Sequence, residues 1–227
     1  MMELKNISLK YDDLQILKNF NISFQKNIIN CIVGPSGVGK TTIANIIAQL
    51  IVPDEGKIIG LENISCSYVF QEPRLIDWYS IYDNIDFVLK DVYNAEKRKR
   101  IVNDYIDLVE LSEYKDYKPS SLSGGMAQRV SIARAFAYPS DLLIMDEPFK
   151  ALDIKLKNEL LSSFIKLLSK RQRTVIFITH DINEAVYLSD TIYMLKYNPA
   201  KIVKIFKNVQ ESDKSMVEKN LKKMYFY

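Results

Sequence analysis

Gly34-Pro35-Ser36-Gly37-Val38-Gly39-Lys40-Thr41-Thr42 is the stretch on which the fold turns, and from Gly34 to Thr41 it fits the spacing G-x-x-x-x-G-K-[ST]. An apolar, strand-like run, Asn27 to Val33, leads into it, and Ile43, Ile46, Ile47 and Leu50 follow at helical spacing. Strand, glycine-rich loop and helix in that order make a phosphate-binding loop. Glycines let backbone N–H groups converge on phosphate oxygens, and the N-terminus of the following helix adds a dipole that favours negative charge. Lys40 is then expected to reach the β- and γ-phosphates, Thr41 to offer its hydroxyl to Mg²⁺, and Thr42 to contact the inner phosphates.

Outward from the loop, Glu3 to Lys10 and Gln15 to Phe24 alternate with period two and read as strands. Asp141 to Asp146 and Thr174 to Thr179 are near-continuous apolar runs, the pattern of parallel strands covered on both faces. Between them, Ile154 to Lys170 carries Leu156, Leu160, Phe164, Leu167 and Leu168 at helical spacing, which supplies a βαβ unit. The middle stretch, about Leu75 to Gln128, reads as a helical lobe, with Ile101, Tyr105, Leu108 and Val109 predicted on one stripe of a helix over Ala95 to Leu111. The basic cluster Lys97-Arg98-Lys99-Arg100 has acidic residues close on both sides and reads as a solvated helix face. Near the C-terminus a hairpin is predicted around Asn198-Pro199, followed by a Lys-rich helical tail.

A carboxylate at the C-terminal end of a buried parallel strand stands where Mg²⁺ coordination is needed, which points to Asp146. Glu147, one residue on, is placed to orient the attacking water or accept its proton. Only seven glycines occur, three in the loop, Gly56 and Gly60 in an expected turn region, and Gly124-Gly125 after Ser123. A residue type so scarce marks special backbone geometry. Ser123-Gly124-Gly125 precedes a helix-like stretch, Ala127 to Tyr138, and so offers a second anion site. His180, the single histidine, ends the Thr174 to Thr179 strand on the edge where ligands collect in such sheets.

The 227 residues fit one α/β domain with an inserted lobe, and an apolar share of 48% with 26% charged residues argues against disorder. Thirty-one basic against 28 acidic residues give +3, too mild for a nucleic-acid partner. Apolar runs such as Ile46 to Val52 are too short to span a bilayer, and Met1-Met2-Glu3-Leu4 does not open a secretion signal. Cys31 and Cys66 each lie in an apolar β-like run and are expected to be buried free thiols in a reducing cytoplasm.

Taken in order, Tyr11, Gly34 to Thr42, Gln71, Leu122-Ser123-Gly124-Gly125, Leu142 to Glu147, Ala151-Leu152-Asp153 and Thr179-His180-Asp181 strongly resemble the ATP-binding cassette ATPases of ABC transporters, from about residue 3 to 200. The resemblance implies an α/β phosphate-loop NTPase core with a mainly parallel sheet, an N-terminal antiparallel β-subdomain and an inserted α-helical subdomain. It implies a single domain, with the core at about 1–75 and 131–227 and the helical part at about 76–130. It further implies a head-to-tail homodimer, with ATP between the loop of one copy and Ser123-Gly124-Gly125 of the other. Carried over, Tyr11 would stack on adenine, Gln71 would approach Mg²⁺ and the attacking water, Asp153 would lie at the dimer interface and His180 would contact the γ-phosphate.

Softer motifs, Phe70 to Leu75, Trp78, Asp83-Asn84-Ile85 and Met145 to Phe149, resemble the importer ATPases of the nitrate, sulfonate and taurine group, which also holds pyrimidine-precursor importers. That implies a cytoplasmic subunit on the inner face of the membrane, bound to separate permease subunits and acting indirectly with an extracytoplasmic solute-binding protein. Two departures stand out. Met126 replaces a common glutamine, and Lys150 puts a charge where a small residue often precedes Ala-Leu-Asp. The rivals are a soluble cassette ATPase acting on DNA or ribosomes, against which the single cassette and mild charge argue, and a phosphate-loop kinase, in which Ser123-Gly124-Gly125 would have no role.

Overall fold

Period-two alternation at the N-terminus folds into a hairpin. β1 (Met2–Tyr11) and β2 (Leu14–Phe24) pair antiparallel, with Leu4, Ile7, Leu17 and Phe24 buried. The computed structural model describes residues 1–150, 152–170 and 172–226, without side-chain surroundings for 166, 167, 169, 170 and 226. Ala151 and the side chain of Leu167, both named above, lie outside the described residues. β3 (Ile29–Val33) is buried along its whole length and opens through the glycine-rich loop into α1 (Lys40–Ile47). β4 (Glu55–Ile59) then pairs antiparallel with β1, completing a three-stranded sheet of order β2-β1-β4. Gly56, expected in a turn region, therefore lies inside a strand. β4 escapes sequence reading because four of its five residues are exposed, which leaves no apolar alternation to find.

A six-stranded sheet of order β5-β6-β7-β3-β8-β9 forms the centre, from β5 (Cys66–Val69), β6 (Leu142–Asp146), β7 (Thr174–Thr179), β8 (Thr191–Lys196) and β9 (Lys201–Phe206) together with β3. All neighbours are parallel except β8 and β9, the predicted hairpin. Alternate residues of the inner strands enter two separate cores: Cys31, Val33, Leu143, Met145, Val175 and Phe177 on one face, Ile32, Leu142, Ile144, Ile176 and Ile178 on the other. Burial on both faces is the reason these strands read as unbroken apolar runs.

Between β5 and β6 the chain forms α2 (Ile81–Phe87), α3 (Ala95–Leu108) and α4 (Gly124–Ala137), which pack on one another. Asn84, fully buried in α2, donates to the carbonyls of Ile76 and Ser80 and accepts from the Ile76 N–H, so it pins the segment that follows Gln71. The stripe expected on α3 holds at Val109 and is one residue out of place before it. Val102, Ile106 and then Val109 are buried, while Ile101, Tyr105 and Leu108 sit at the edge. Apolar residues come there in adjacent pairs, Ile101-Val102, Tyr105-Ile106 and Leu108-Val109, and the second of each pair takes the centre. Lys97, Lys99 and Arg100 are exposed, as a solvated face requires, while Arg98 pairs with Asp86 at 2.8 Å.

α5 (Ile154–Lys170) buries Leu160 and Phe164, and α6 (Ile182–Leu188) and α7 (Lys214–Phe226) complete the layer on that face. No helix among the described residues is long and apolar enough to cross a membrane. Cys31 is buried as expected, but Cys66 is exposed at the start of β5, because that strand is the edge of its sheet; both are free thiols. The register Val33 to Thr179 and Asp146 to Ile178 brings the C-terminal ends of β3, β6 and β7 to one edge, so the residues after each strand meet there.

Candidate nucleotide site

Two glycines of the loop are fixed by close approach. Gly39 caps α1 in the left-handed region at φ 100, where an added Cβ would lie 2.9 Å from Ile16 Cγ2. At Gly34 a Cβ would fall 2.7 Å from the carbonyl oxygen of Leu195. The loop wraps Lys40, which is 5% exposed and donates through Nζ to the carbonyls of Gly34 (2.8 Å) and Pro35 (2.9 Å). Burial pulls the Lys40 ammonium below its usual range, against the attraction of Glu147 and Asp146. A cation held on backbone carbonyls at the mouth of a helix N-terminus is poised to trade them for anionic oxygens.

Thr41 Oγ1 donates to Asp146 Oδ2 at 2.6 Å, joining the first turn of α1 to the end of β6. Burial pushes the Asp146 carboxyl up, the Thr41 hydrogen bond works against this, and Glu147 adds to the rise. Asp146 Oδ1 is buried with no hydrogen-bond partner among the described residues. A buried carboxylate with one orphaned oxygen beside a hydroxyl is a hard-oxygen donor set that fits Mg²⁺, an ion that takes few protein ligands and completes its shell with water and phosphate. No cluster of three or more His, Cys, Asp or Glu suited to a metal occurs among the described residues.

Glu147 sits at φ 46, in the left-handed region rare for a residue with a side chain, and its N–H donates to the Ile178 carbonyl at 2.9 Å. His180 Nδ1 lies 3.2 Å from Glu147 Oε1 and Lys150 Nζ 3.3 Å from Oε2. Burial pushes Glu147 up, but the neighbouring His180 and Lys150 outweigh it and hold the carboxyl below its ordinary range. A pocket of about 330 Å³ is lined by Ser36, Gly37, Gly39, Lys40, Thr41, Thr42, Gln71, Glu147, Lys150 and Ile16.

The structure thus gathers the loop, Asp146, Glu147, His180 and Gln71 at one sheet edge. Other predicted residues stand apart from the walls of that pocket. Tyr11 is exposed at the end of β1. Ser123 and Gly124 are exposed at the head of α4, where Ser123 Oγ accepts from the Met126 N–H at 3.3 Å. Asp153 accepts from the Leu156 N–H at 3.0 Å and so caps α5.

Two residues were beyond motif reading. Lys150 stood out only as a departure, and nothing in the sequence says that it reaches back to Glu147. Gln128, 2% exposed in α4, donates to the carbonyls of Pro148 (3.1 Å) and Phe70 (3.4 Å), so it ties the segments next to Glu147 and Gln71 to one helix. A single glutamine within a helix carries no signal of such partners.

A parallel sheet with this loop, a buried acid pair and these strand ends defines a phosphate-loop NTPase. Within that class, residues 17–150 match the family described as ABC transporter. The aliphatic sulfonates import ATP-binding protein SsuB of Bacillus cereus is 38% identical over 212 residues, 90% of this chain and 83% of that protein. The ABC transporter ATP-binding protein MJ0412 of Methanocaldococcus jannaschii is 39% identical over 202 residues, 86% and 75% of the two chains. Among solved structures, the dimeric post-hydrolysis state of the ATP-binding cassette MJ0796, bound to ADP and Pi, superposes with a TM-score of 0.82 at 28% identity, covering 91% of this chain and 98% of that one. The chain belongs to the ABC transporter family, as an ATP-binding subunit that hydrolyses ATP.

Proposed function

We propose that this chain powers an importer of the nitrate, sulfonate, taurine or pyrimidine-precursor type, working as a head-to-tail homodimer on the cytoplasmic face of the membrane. The likeness to SsuB proteins over nine-tenths of the chain supports the importer assignment, and the dimeric cassette structures support the homodimer. Permease subunits would take up the motion, and an extracytoplasmic binding protein would act through them. The helical part, expected over about 76–130 and here carried to the end of α4 at Ala137 because that helix is continuous, would move against the rest of the chain as the core.

The observation that carries the dimer is a separation. The phosphate loop and acid pair share one pocket, while Ser123 and Gly124 head an exposed helix end outside it. A Cβ added at Gly124 meets nothing within 4 Å, so the chain's own packing does not demand glycine there. Close approach of a second copy's nucleotide does.

In this reading, loop N–H groups from Gly34 to Thr42 hold the phosphates, Tyr11 stacks on adenine, and Lys40 moves from its carbonyls to the outer phosphate oxygens. Mg²⁺, when bound through Thr41 and Asp146 with Gln71 close by, neutralises phosphate charge. Glu147, kept ionised by His180 and Lys150, accepts a proton from the attacking water, and His180 reaches the γ-phosphate. Ser123-Gly124-Gly125 of the second copy closes over the nucleotide, with Asp153 at the seam.

Glu147→Gln keeps the side chain's size and removes the base. It is expected to bind ATP, to lose turnover by about 100-fold or more, and to run as a dimer on gel filtration with ATP and Mg²⁺. Unchanged turnover from a monomer would remove Glu147 from this role. A pull-down from detergent extract should recover a multi-span membrane protein; ribosomes or DNA alone would favour the soluble alternative.

A further inference from the structure

The C-terminal helix reaches the phosphate loop. Gln210 Nε2 donates to the carbonyls of Val186 (3.3 Å), Tyr187 (3.1 Å) and Ser189 (2.9 Å) at the end of α6, and Val209, Val217 and Leu221 are buried in the same core. That docking carries Tyr225, on the last turn of α7, to the carbonyl of Gly34, where its hydroxyl donates at 3.1 Å. The same carbonyl oxygen receives Lys40 Nζ at 2.8 Å.

We propose that Tyr225 is a positioning residue of the ATP site: it stays on the Gly34 carbonyl when Lys40 leaves for phosphate. The inference rests on reading Gly34 to Thr42 as the nucleotide loop. A carbonyl oxygen has two lone pairs, so Lys40 and Tyr225 share it without conflict. Moving the ammonium onto a nucleotide strips one donor from Gly34 and one from Pro35, and a buried acceptor left unpaired costs its full desolvation. Pro35 keeps the Val38 N–H, at 3.4 Å, and Gly34 keeps Tyr225. Gly34 is closely packed on its side-chain side, where a Cβ would fall 2.7 Å from the Leu195 carbonyl oxygen. Burial holds the Tyr225 phenol above its usual range, with the Glu147 charge adding to the effect, so the hydroxyl keeps the proton it donates. Tyr225 thereby lowers the cost of recruiting Lys40 without touching the nucleotide.

Tyr225→Phe removes only the hydroxyl. Binding of the imido analogue of ATP with Mg²⁺, read by calorimetry, should weaken about five-fold, the worth of one neutral hydrogen bond. KM for ATP should rise in step while kcat stays within two-fold. Met224→Ala, which trims the packing of the same helix turn and keeps the hydroxyl, should lower the melting temperature and leave affinity unchanged. Affinity of Tyr225→Phe within two-fold of wild type, or an equal loss in Met224→Ala, would overturn the proposal. Lys40→Ala in the same assay separates the two readings. If it binds as wild type does, the loop assignment falls and takes Tyr225 with it; if it loses binding while Tyr225→Phe does not, only the role of Tyr225 falls.

Discussion

Asp146 and Glu147 are neighbours in the chain and are driven in opposite directions by their surroundings. Burial raises the first, while the second, burial notwithstanding, is held low by His180 and Lys150. Two adjacent carboxyls pushed apart in this way suit different tasks, a metal ligand and a proton acceptor. Lys150 is the unusual contributor, half exposed and three residues from its partner. Lys150→Met removes a group that lowers the Glu147 carboxyl, so that carboxyl should rise towards its ordinary value and the acidic limb of the ATPase pH profile should move to higher pH. An unmoved limb across a pH–rate series would show that Lys150 does not act on turnover through Glu147. At this scale the sequence revealed what spacing encodes: Lys40, Thr41 and Asp146 follow from a loop and a strand end. It did not reveal Lys150, because its reach to Glu147 depends on a left-handed turn at Glu147 that no residue type announces.

Among the elements, α5, β7 and α6 meet through charge. Lys157 on α5 pairs with Asp181 Oδ2 at 2.7 Å and with Glu184, and Thr179 Oγ1 donates to Glu184 Oε2 at 2.6 Å. Asp181 also caps α6 by accepting from the N–H groups of Asn183 and Glu184. His180 is thus held between two anchored residues. Asp181→Ala should cost about 1 kcal/mol at neutral pH, as loss of a cap does, read from denaturant unfolding. Burial raises the Asp181 carboxyl, but Lys157 outweighs it and the net shift is downward. The contribution of a depressed carboxyl is complete above its ordinary pKa of about 3.9 and fades as pH falls through the lower folded value. Acidification below about pH 4 should therefore narrow the gap between wild type and Asp181→Ala; a gap constant into strong acid would count against the ion pair. Thr179-His180-Asp181 marked this corner in the sequence, yet Lys157 sits among many lysines and only the packing of α5 singles it out.

For the molecule as a whole, the layout of the core was legible because inner strands buried on both faces have no polar alternation to hide. The edge elements are not legible: four of the five residues of β4 are exposed, Cys66 sits on a sheet edge, and the buried face of α3 is settled within pairs of neighbouring apolar residues. The dimer assignment belongs at this scale too. Ser123→Arg puts a long cation at the exposed head of α4, outside the pocket. It should abolish turnover and leave nucleotide binding by the monomer nearly intact, since its ligand sits on the other copy. Loss of monomer binding, measured by calorimetry at low protein concentration, would contradict a shared site.

The position of β3 in the sheet has a consequence for biosynthesis. It lies between β7 and β8, so Ile29 pairs with Val175 and Asn30 with Thr191. A ribosome has to deliver most of the chain before the strand that feeds the phosphate loop gains either neighbour. Until then an apolar strand waits unpaired, prone to stick to other nascent chains, which makes chaperone supply during translation a natural determinant of yield.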